Sequence, residues 1–277
     1  MTDLVRLCRL YYCLPLSFAY GLAVCYALGD QMAGQWPGVV WSSLALTLIM
    51  ASAYMLNDVL DARVDRINAP HRPIAAGRVR PRVAAAWAGA LAVMGMAAAL
   101  FCRWQFLTGL AILAAGLGIY DLISKRLGPL KQLVVALLTT AIYPLAVLQA
   151  GNTGGQRAGT LLYFPIWLFL TAFAYEGFKD IRDAAGDGAA AGQPGWIRTR
   201  PRLAIGLFRL AAVLGGASLI APALAGCGRV YAVLIGPAIL AAIALALLPP
   251  RRALAAIYIE CVLVGVAATA DLAMRGH

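Results

Sequence analysis

The sequence predicts an all-α, multi-pass membrane protein, a single-domain bundle of nine transmembrane helices, and three observations carry that expectation. Of 277 residues, 62% are hydrophobic and only 13% charged, where soluble domains run near half and a quarter. Mean hydropathy is +0.79. Apolar stretches recur that approach the roughly 20 residues needed to cross a hydrocarbon core of about 30 Å as helix. Too little polar surface remains to cover a water-soluble globule, which excludes an ordinary cytosolic enzyme, a disordered chain and a disulfide-stapled secreted module. A closed barrel would need strands alternating apolar and polar, and runs such as 83–100 and 230–248 do not alternate.

The first span, 11–28, follows Arg6 and Arg9. It is longer than a secretory h-region and lacks a small-x-small cleavage site, so it reads as helix one. The second, 36–56, is separated from the third, 83–102, by a segment with six arginines (63, 66, 72, 78, 80 and 82). The fourth and fifth, 104–122 and 129–150, flank Lys125 and Arg126, and Lys131 at the start of the fifth is counted with that loop. The sixth and seventh, 161–178 and 203–224, enclose Lys179, Arg182, Arg198, Arg200 and Arg202, and the last two, 229–248 and 252–272, enclose Arg251 and Arg252.

Counted by side, Lys and Arg divide 18 to 4, with Arg209 left inside the seventh span. The positive-inside rule then places the N-terminus and the even-numbered loops in the cytoplasm. The same rule accounts for the net charge of +11 without a nucleic-acid partner. Six cysteines at 8, 13, 25, 102, 227 and 261 form no CxxC and have no neighbouring His, so they read as small apolar core residues.

Only 12 acidic residues occur, and six of them form two groups, Asp58, Asp61, Asp65 and Asp180, Asp183, Asp187. Each reads D-x-x-D-x-x-x-D, and the groups are offset by 122 residues at every position. Spacings of three and four put the three carboxylates on one helix face. Each group sits at the cytoplasmic end of an even-numbered helix, with Asn57 directly before the first and Glu176 one turn before the second.

Solvated helix ends explain single acids. They do not explain two identical triads, because clustered carboxylates repel and a helix C-terminus disfavours negative charge. Cations between the acids relieve that cost, and carboxylate oxygens with water are what Mg²⁺ prefers. The triads are thus expected to burden the fold when no cation is present. Mg²⁺ fills its octahedron with substrate phosphate while Arg and Lys take the remaining oxygens. Arg72, Lys125, Arg126 and Lys179 lie in the same loops, so the ligand implied is a diphosphate. Nine helices suit one attached to an isoprenoid tail.

At these residues the chain resembles the UbiA superfamily of intramembrane prenyltransferases. Asn57-Asp58-Val59-Leu60-Asp61-Ala62-Arg63-Val64-Asp65, then Asn68-Ala69-Pro70-His71-Arg72-Pro73-Ile74 and Gly77, is similar to the family's first aspartate motif and the segment after it. Lys179-Asp180-Ile181-Arg182-Asp183-Ala184-Ala185-Gly186-Asp187 resembles the second. Tyr120 through Lys125-Arg126 resembles the segment after helix four, and Arg9 matches an arginine opening helix one. Ala76 departs from the serine that many members carry there.

The resemblance implies Mg²⁺-dependent transfer of a prenyl group from its diphosphate to a hydrophobic, often aromatic, acceptor. It implies two Mg²⁺ ions held by Asn57, Asp58, Asp61, Asp65, Asp180, Asp183 and Asp187. Arg9, Arg72, Lys125, Arg126 and Lys179 would hold the diphosphate, with Asp61, Asp183, Lys125 and Tyr120 carrying the chemistry. The second motif is closer to the branch with chlorophyll synthase, homogentisate prenyltransferases and archaeal geranylgeranylglyceryl phosphate prenyltransferases than to the hydroxybenzoate enzymes. Tyr54, Tyr120, Tyr143, Phe173 and Tyr175 could face an allylic cation with their π surfaces. The alternatives are a terpene cyclase of the same fold and an ion-coupled transporter, whose acids would lie nearer mid-membrane. Glu260 and Arg209, the ionisable residues well inside helices, read as a buried polar pair or an acceptor contact.

Overall fold

The computed structural model describes residues 2–151, 157–191 and 196–274, and the side chains of 30, 68, 125 and 184–191 lie outside the described residues. Every regular element among the described residues is helical. A short α1 (Thr2–Leu7) precedes α2 (Leu10–Leu28), α3 (Trp36–Leu60), α4 (Ala62–Asn68), α5 (Pro81–Ala99) and α6 (Trp104–Ile123). The fifth span comprises α7 (Lys131–Thr140) and α8 (Ile142–Ala150). Then follow α9 (Phe164–Ala191), α10 (Trp196–Thr199), α11 (Pro201–Ser218) with α12 (Ile220–Ala225), α13 (Arg229–Leu234), α14 (Gly236–Leu245) and α15 (Pro250–Ala273).

Eight units among the described residues are long and apolar enough to cross a membrane. The ninth predicted run appears as the shorter apolar stretch Arg229–Leu245. It is divided at Ile235 between α13 and α14, where Pro237 supplies no backbone donor to the turn before it. Leu224 and Leu247 are 85% exposed and Ile112 73%. Side chains of that kind around the outside of a bundle suit hydrocarbon, not water.

Small residues let the helices meet. α3 packs along α5, where a Cβ on Gly95 would stand 3.1 Å from the Ala45 carbonyl oxygen. α9 packs along α11, and Gly177 there lies under the Phe208 ring, which a Cβ would strike at 2.3 Å. One large core gathers Tyr20, Leu46, Phe106, Phe164 and Tyr231, and a second gathers Phe178, Phe208 and Leu254.

Several buried polar groups inside the bundle find local partners. Near the end of α15, Asp271 accepts from Tyr26 Oη at 2.9 Å and from the Gly228 N–H at 2.7 Å, and it pairs with Arg157. Tyr26 is 17 residues past Arg9, so this lock lies about 25 Å along α2 from it. Glu260 and Arg209 do not pair with each other. Glu260 accepts from Trp167 Nε1 at 2.8 Å, and Arg209 donates to the Leu248 carbonyl at 3.1 Å. Each lies on a different helix and takes the nearest neutral partner that desolvation allows.

Candidate functional site

α3 continues past the hydropathic end expected at 56 and carries Asn57 and Asp58 in its last turn. Asp61 stands at the junction with α4, and Asp65 lies on α4. The Asp61 N–H donates to the Asn57 carbonyl at 2.8 Å and the Asp65 N–H to the Asp61 carbonyl at 2.8 Å. Helical bonding thus runs through the junction and keeps the three carboxylates in register. Asp58 and Asp65 are buried and Asp61 is half-buried.

Two arginines from elsewhere make that burial tolerable. Arg9 pairs with Asp58 and lies over the Tyr54 ring at 5.3 Å. Its backbone is left-handed at φ 45°, which among the described residues no other non-glycine adopts. Such strain persists where surrounding structure over-determines it. Arg72 Nη1 lies 2.8 and 2.7 Å from the two oxygens of Asp65 and 3.3 Å from Asp58. The turn presenting Arg72 closes through Gly77, at φ 73°, and is pinned by Ile74 and Val79 packing with Leu7 and Met55. Burial pushes the Asp65 carboxyl up, with Arg72 opposing. Burial acts against the Arg9 charge, but Asp58 together with Tyr11 and Tyr54 outweighs it and the guanidinium is held above its usual range.

The second triad lies on one unbroken helix, α9, which runs well past the expected end at 178. Asp180 is buried and accepts from Lys131 Nζ at 2.7 Å and Gln132 Nε2 at 2.8 Å, both on α7. Glu176, also buried, accepts from Lys179 Nζ at 2.6 Å. Asp183 sits nearer the surface with Arg182 Nε at 2.7 Å. The side chain of Asp187 lies outside the described residues.

The two acid-bearing ends are neighbours, for α4 packs on α9. Tyr120, in the last turn of α6, lies in the combined field of Glu176, Asp180, Asp121 and Asp61. Tyr12 and Tyr175 share a hydroxyl–hydroxyl hydrogen bond of 2.8 Å, and Tyr12 packs 5.8 Å from Tyr54. Arg126 is exposed in the turn Ser124–Arg126, and the Lys125 side chain lies outside the described residues.

Four residues at this site escaped the sequence reading. Lys131 and Gln132 hold Asp180, Tyr12 joins Tyr175, and Asp121 accepts from Asn57 Nδ2 at 3.2 Å. Lys131 was visible only as one more loop cation. Asp121 carried a signal of its own: it is one of few acids, at the end of an apolar helix, in neither triad.

Among the described residues no three acid, His or Cys side chains are gathered closely enough to hold an ion. The donor set nevertheless fits Mg²⁺, being carboxylate and amide oxygens. Beside that set, Asp121 Oδ2 is buried without a hydrogen-bond partner. Asp58, Asp65 and Asp180 keep Arg and Lys as counter-ions.

Fold and site together define a multi-pass integral membrane protein whose buried acids and bases concentrate at one end of the bundle. The chain belongs to the UbiA prenyltransferase family, which matches residues 17–258. It is similar to digeranylgeranylglyceryl phosphate synthases of Methanoculleus marisnigri, 33% identical with 62% of this chain and 61% of that one covered, and of Natronomonas pharaonis, 30% identical with 73% and 72% covered. With the Saccharolobus solfataricus synthase the match is 34% identical but covers 44% of each chain. The chain thus spans about half to two thirds of the length of several curated relatives it matches. Its fold is that of a solved UbiA homolog from Archaeoglobus fulgidus bound to GPP and Mg²⁺, with TM-score 0.69 at 15% identity over 98% of this chain and 100% of that one. An Aeropyrum pernix homolog superposes with TM-score 0.73 at 18% identity, over 95% and 96%.

Proposed function

We propose that the protein transfers a prenyl group from a prenyl diphosphate to a membrane-soluble acceptor, with Mg²⁺ as cofactor. The single observation that carries this reading is the junction of the two acid-bearing ends: α4, which bears Asp65, packs against α9, which bears Asp180. Family membership supports it, as does the Archaeoglobus homolog bound to GPP and Mg²⁺.

Asn57, Asp58, Asp61 and Asp65 would hold one ion, and Asp180, Asp183 and Asp187 the other. Bound there, Mg²⁺ supplies Lewis-acid neutralisation of a departing diphosphate. The chain's own cations do the rest. Arg9 and Arg72 would take diphosphate oxygens on the α3 side, with Lys179, Lys125 and Arg126 on the other. Tyr120, between the acid groups, would donate to the leaving oxygen. The helices exclude water from the allylic cation, and Tyr12, Tyr54 and Tyr175 offer it π faces. Asp61 and Asp183, the central acid of each triad, would carry the greatest share of the metal's charge.

The relatives named digeranylgeranylglyceryl phosphate synthase support a glyceryl lipid as acceptor, with an aromatic acceptor as the competing class. The Lys and Arg distribution supports an orientation with the N-terminus and both triads facing the cytoplasm.

Mass spectrometry of products from purified protein, prenyl diphosphates of several lengths, a panel of glyceryl-lipid and aromatic acceptors, and Mg²⁺ tests the reading. A prenylated acceptor is the expected result. Cyclised hydrocarbon formed without acceptor would assign a cyclase. No turnover under any combination, with cation uptake into proteoliposomes, would assign a transporter.

A further inference from the structure

Asp121 belongs to neither triad, yet it touches the first. It occupies the last turn of α6, and its Oδ1 accepts from Asn57 Nδ2 at 3.2 Å. An amide nitrogen donates and does not accept, so this contact fixes which end of the Asn57 amide faces Asp121. With its nitrogen held there, the amide can offer only its oxygen elsewhere, and oxygen is the atom that Mg²⁺ binds. Asp121 Oδ2 is buried without a hydrogen-bond partner. A buried carboxylate oxygen in that condition calls for a water or an ion. Asn57, its partner, directly precedes Asp58 in the last turn of α3, so Asp121 stands next to the residues that open the first triad.

We propose that Asp121 is a positioning residue for the metal-binding end of α3. One of its oxygens locks Asn57 in the amide orientation that presents Oδ1 to a cation, and the other accepts a hydrogen bond from a cation-bound water. Mg²⁺ retains several waters when protein-bound, and outer partners that orient ligands cost about 10- to 100-fold in metal affinity when removed. Sequence could not separate this acid from a solvated helix end, because its partner stands 64 residues away.

The inference rests on the metal reading above, and the test separates the two. The full-length protein in detergent, with inorganic diphosphate present and no prenyl substrate, is titrated with Mg²⁺ while its melting temperature is recorded. The unsubstituted chain, Asp121→Leu and Asp121→Asn are compared. Leu matches the shape without an acceptor, and Asn retains one acceptor oxygen. Asp121→Leu is expected to need about 10- to 100-fold more Mg²⁺ for half-maximal stabilisation, with its cation-free melting temperature close to that of the unsubstituted chain. Asp121→Asn is expected to recover part of the response, since its one oxygen serves Asn57 or the water but not both. An unchanged midpoint in Asp121→Leu overturns the proposal while leaving the metal reading intact. Asp121→Asn as impaired as Asp121→Leu also overturns it, since an acceptor oxygen at this position would then make no difference. No Mg²⁺ response in the unsubstituted chain overturns the metal reading and this inference with it.

Discussion

Arg72 spans the first triad, with Nη1 within 2.8 Å of both Asp65 oxygens and 3.3 Å from Asp58. One guanidinium thus serves the carboxylates at both ends of the motif and, half-buried, still has other donors to offer a diphosphate. Arg72→Ala should lower kcat/KM for a prenyl diphosphate about 10²- to 10³-fold, the scale of losing one preorganised donor to a developing anion. Arg72→Lys should recover only part, because a point charge cannot reproduce the planar fork. Steady-state kinetics checks both.

Stability is expected to respond unequally to the acids. Asp58 and Arg9 keep 4% and 11% side-chain exposure, so Asp58→Ala strands a buried guanidinium and should destabilise by about 3 kcal/mol. Asp183 and Arg182 keep 35% and 44%, and Asp183→Asn should move the melting temperature little. Counter-ions from the α1–α2 junction, the loop after α4 and α7 accompany the buried acids, so the cost of each triad is expected to fall unequally on its members. Thermal melts in detergent without Mg²⁺ read both effects.

The lock around Asp271 predicts the opposite separation. Asp271→Ala leaves Arg157, Tyr26 and the Gly228 N–H without their shared acceptor and should cost about 3 kcal/mol of stability. It lies about 25 Å along α2 from Arg9, so the Mg²⁺ midpoint should not move. A shifted midpoint at unchanged melting temperature would contradict a purely structural lock.

Most of the bundle and both triads were legible in the sequence because each has a long or repeated signal. Apolar runs mark spans whatever their partners, and an eight-position motif repeated at a fixed offset does not arise from loop charge alone. What escaped depends on tertiary proximity. The extension of α3 to Leu60 is hidden to hydropathy because its polar last turn is paid for by Arg9 and Arg72. Lys131 looks like any loop cation until α7 is laid against α9. The break at Ile235 and the separate partners of Glu260 and Arg209 likewise reflect packing that periodicity does not encode.

Orientation has its own check. Single cysteines introduced in the loops 61–80 and 196–202 should react with an impermeant maleimide from the same, cytoplasmic, side. Labelling from opposite faces would place the triads about 30 Å apart across the hydrocarbon and exclude a shared site.

The central claim is that two acid-bearing helix ends serve one diphosphate. The most direct measurement is kcat/KM for a prenyl diphosphate in Asp61→Asn, Asp183→Asn and the double variant at saturating Mg²⁺. Groups acting as a unit are strongly non-additive. Each single substitution should therefore lose on the order of 10³-fold, and the double variant scarcely more. Losses that multiply in the double variant, or undiminished turnover in Asp183→Asn, would contradict the account.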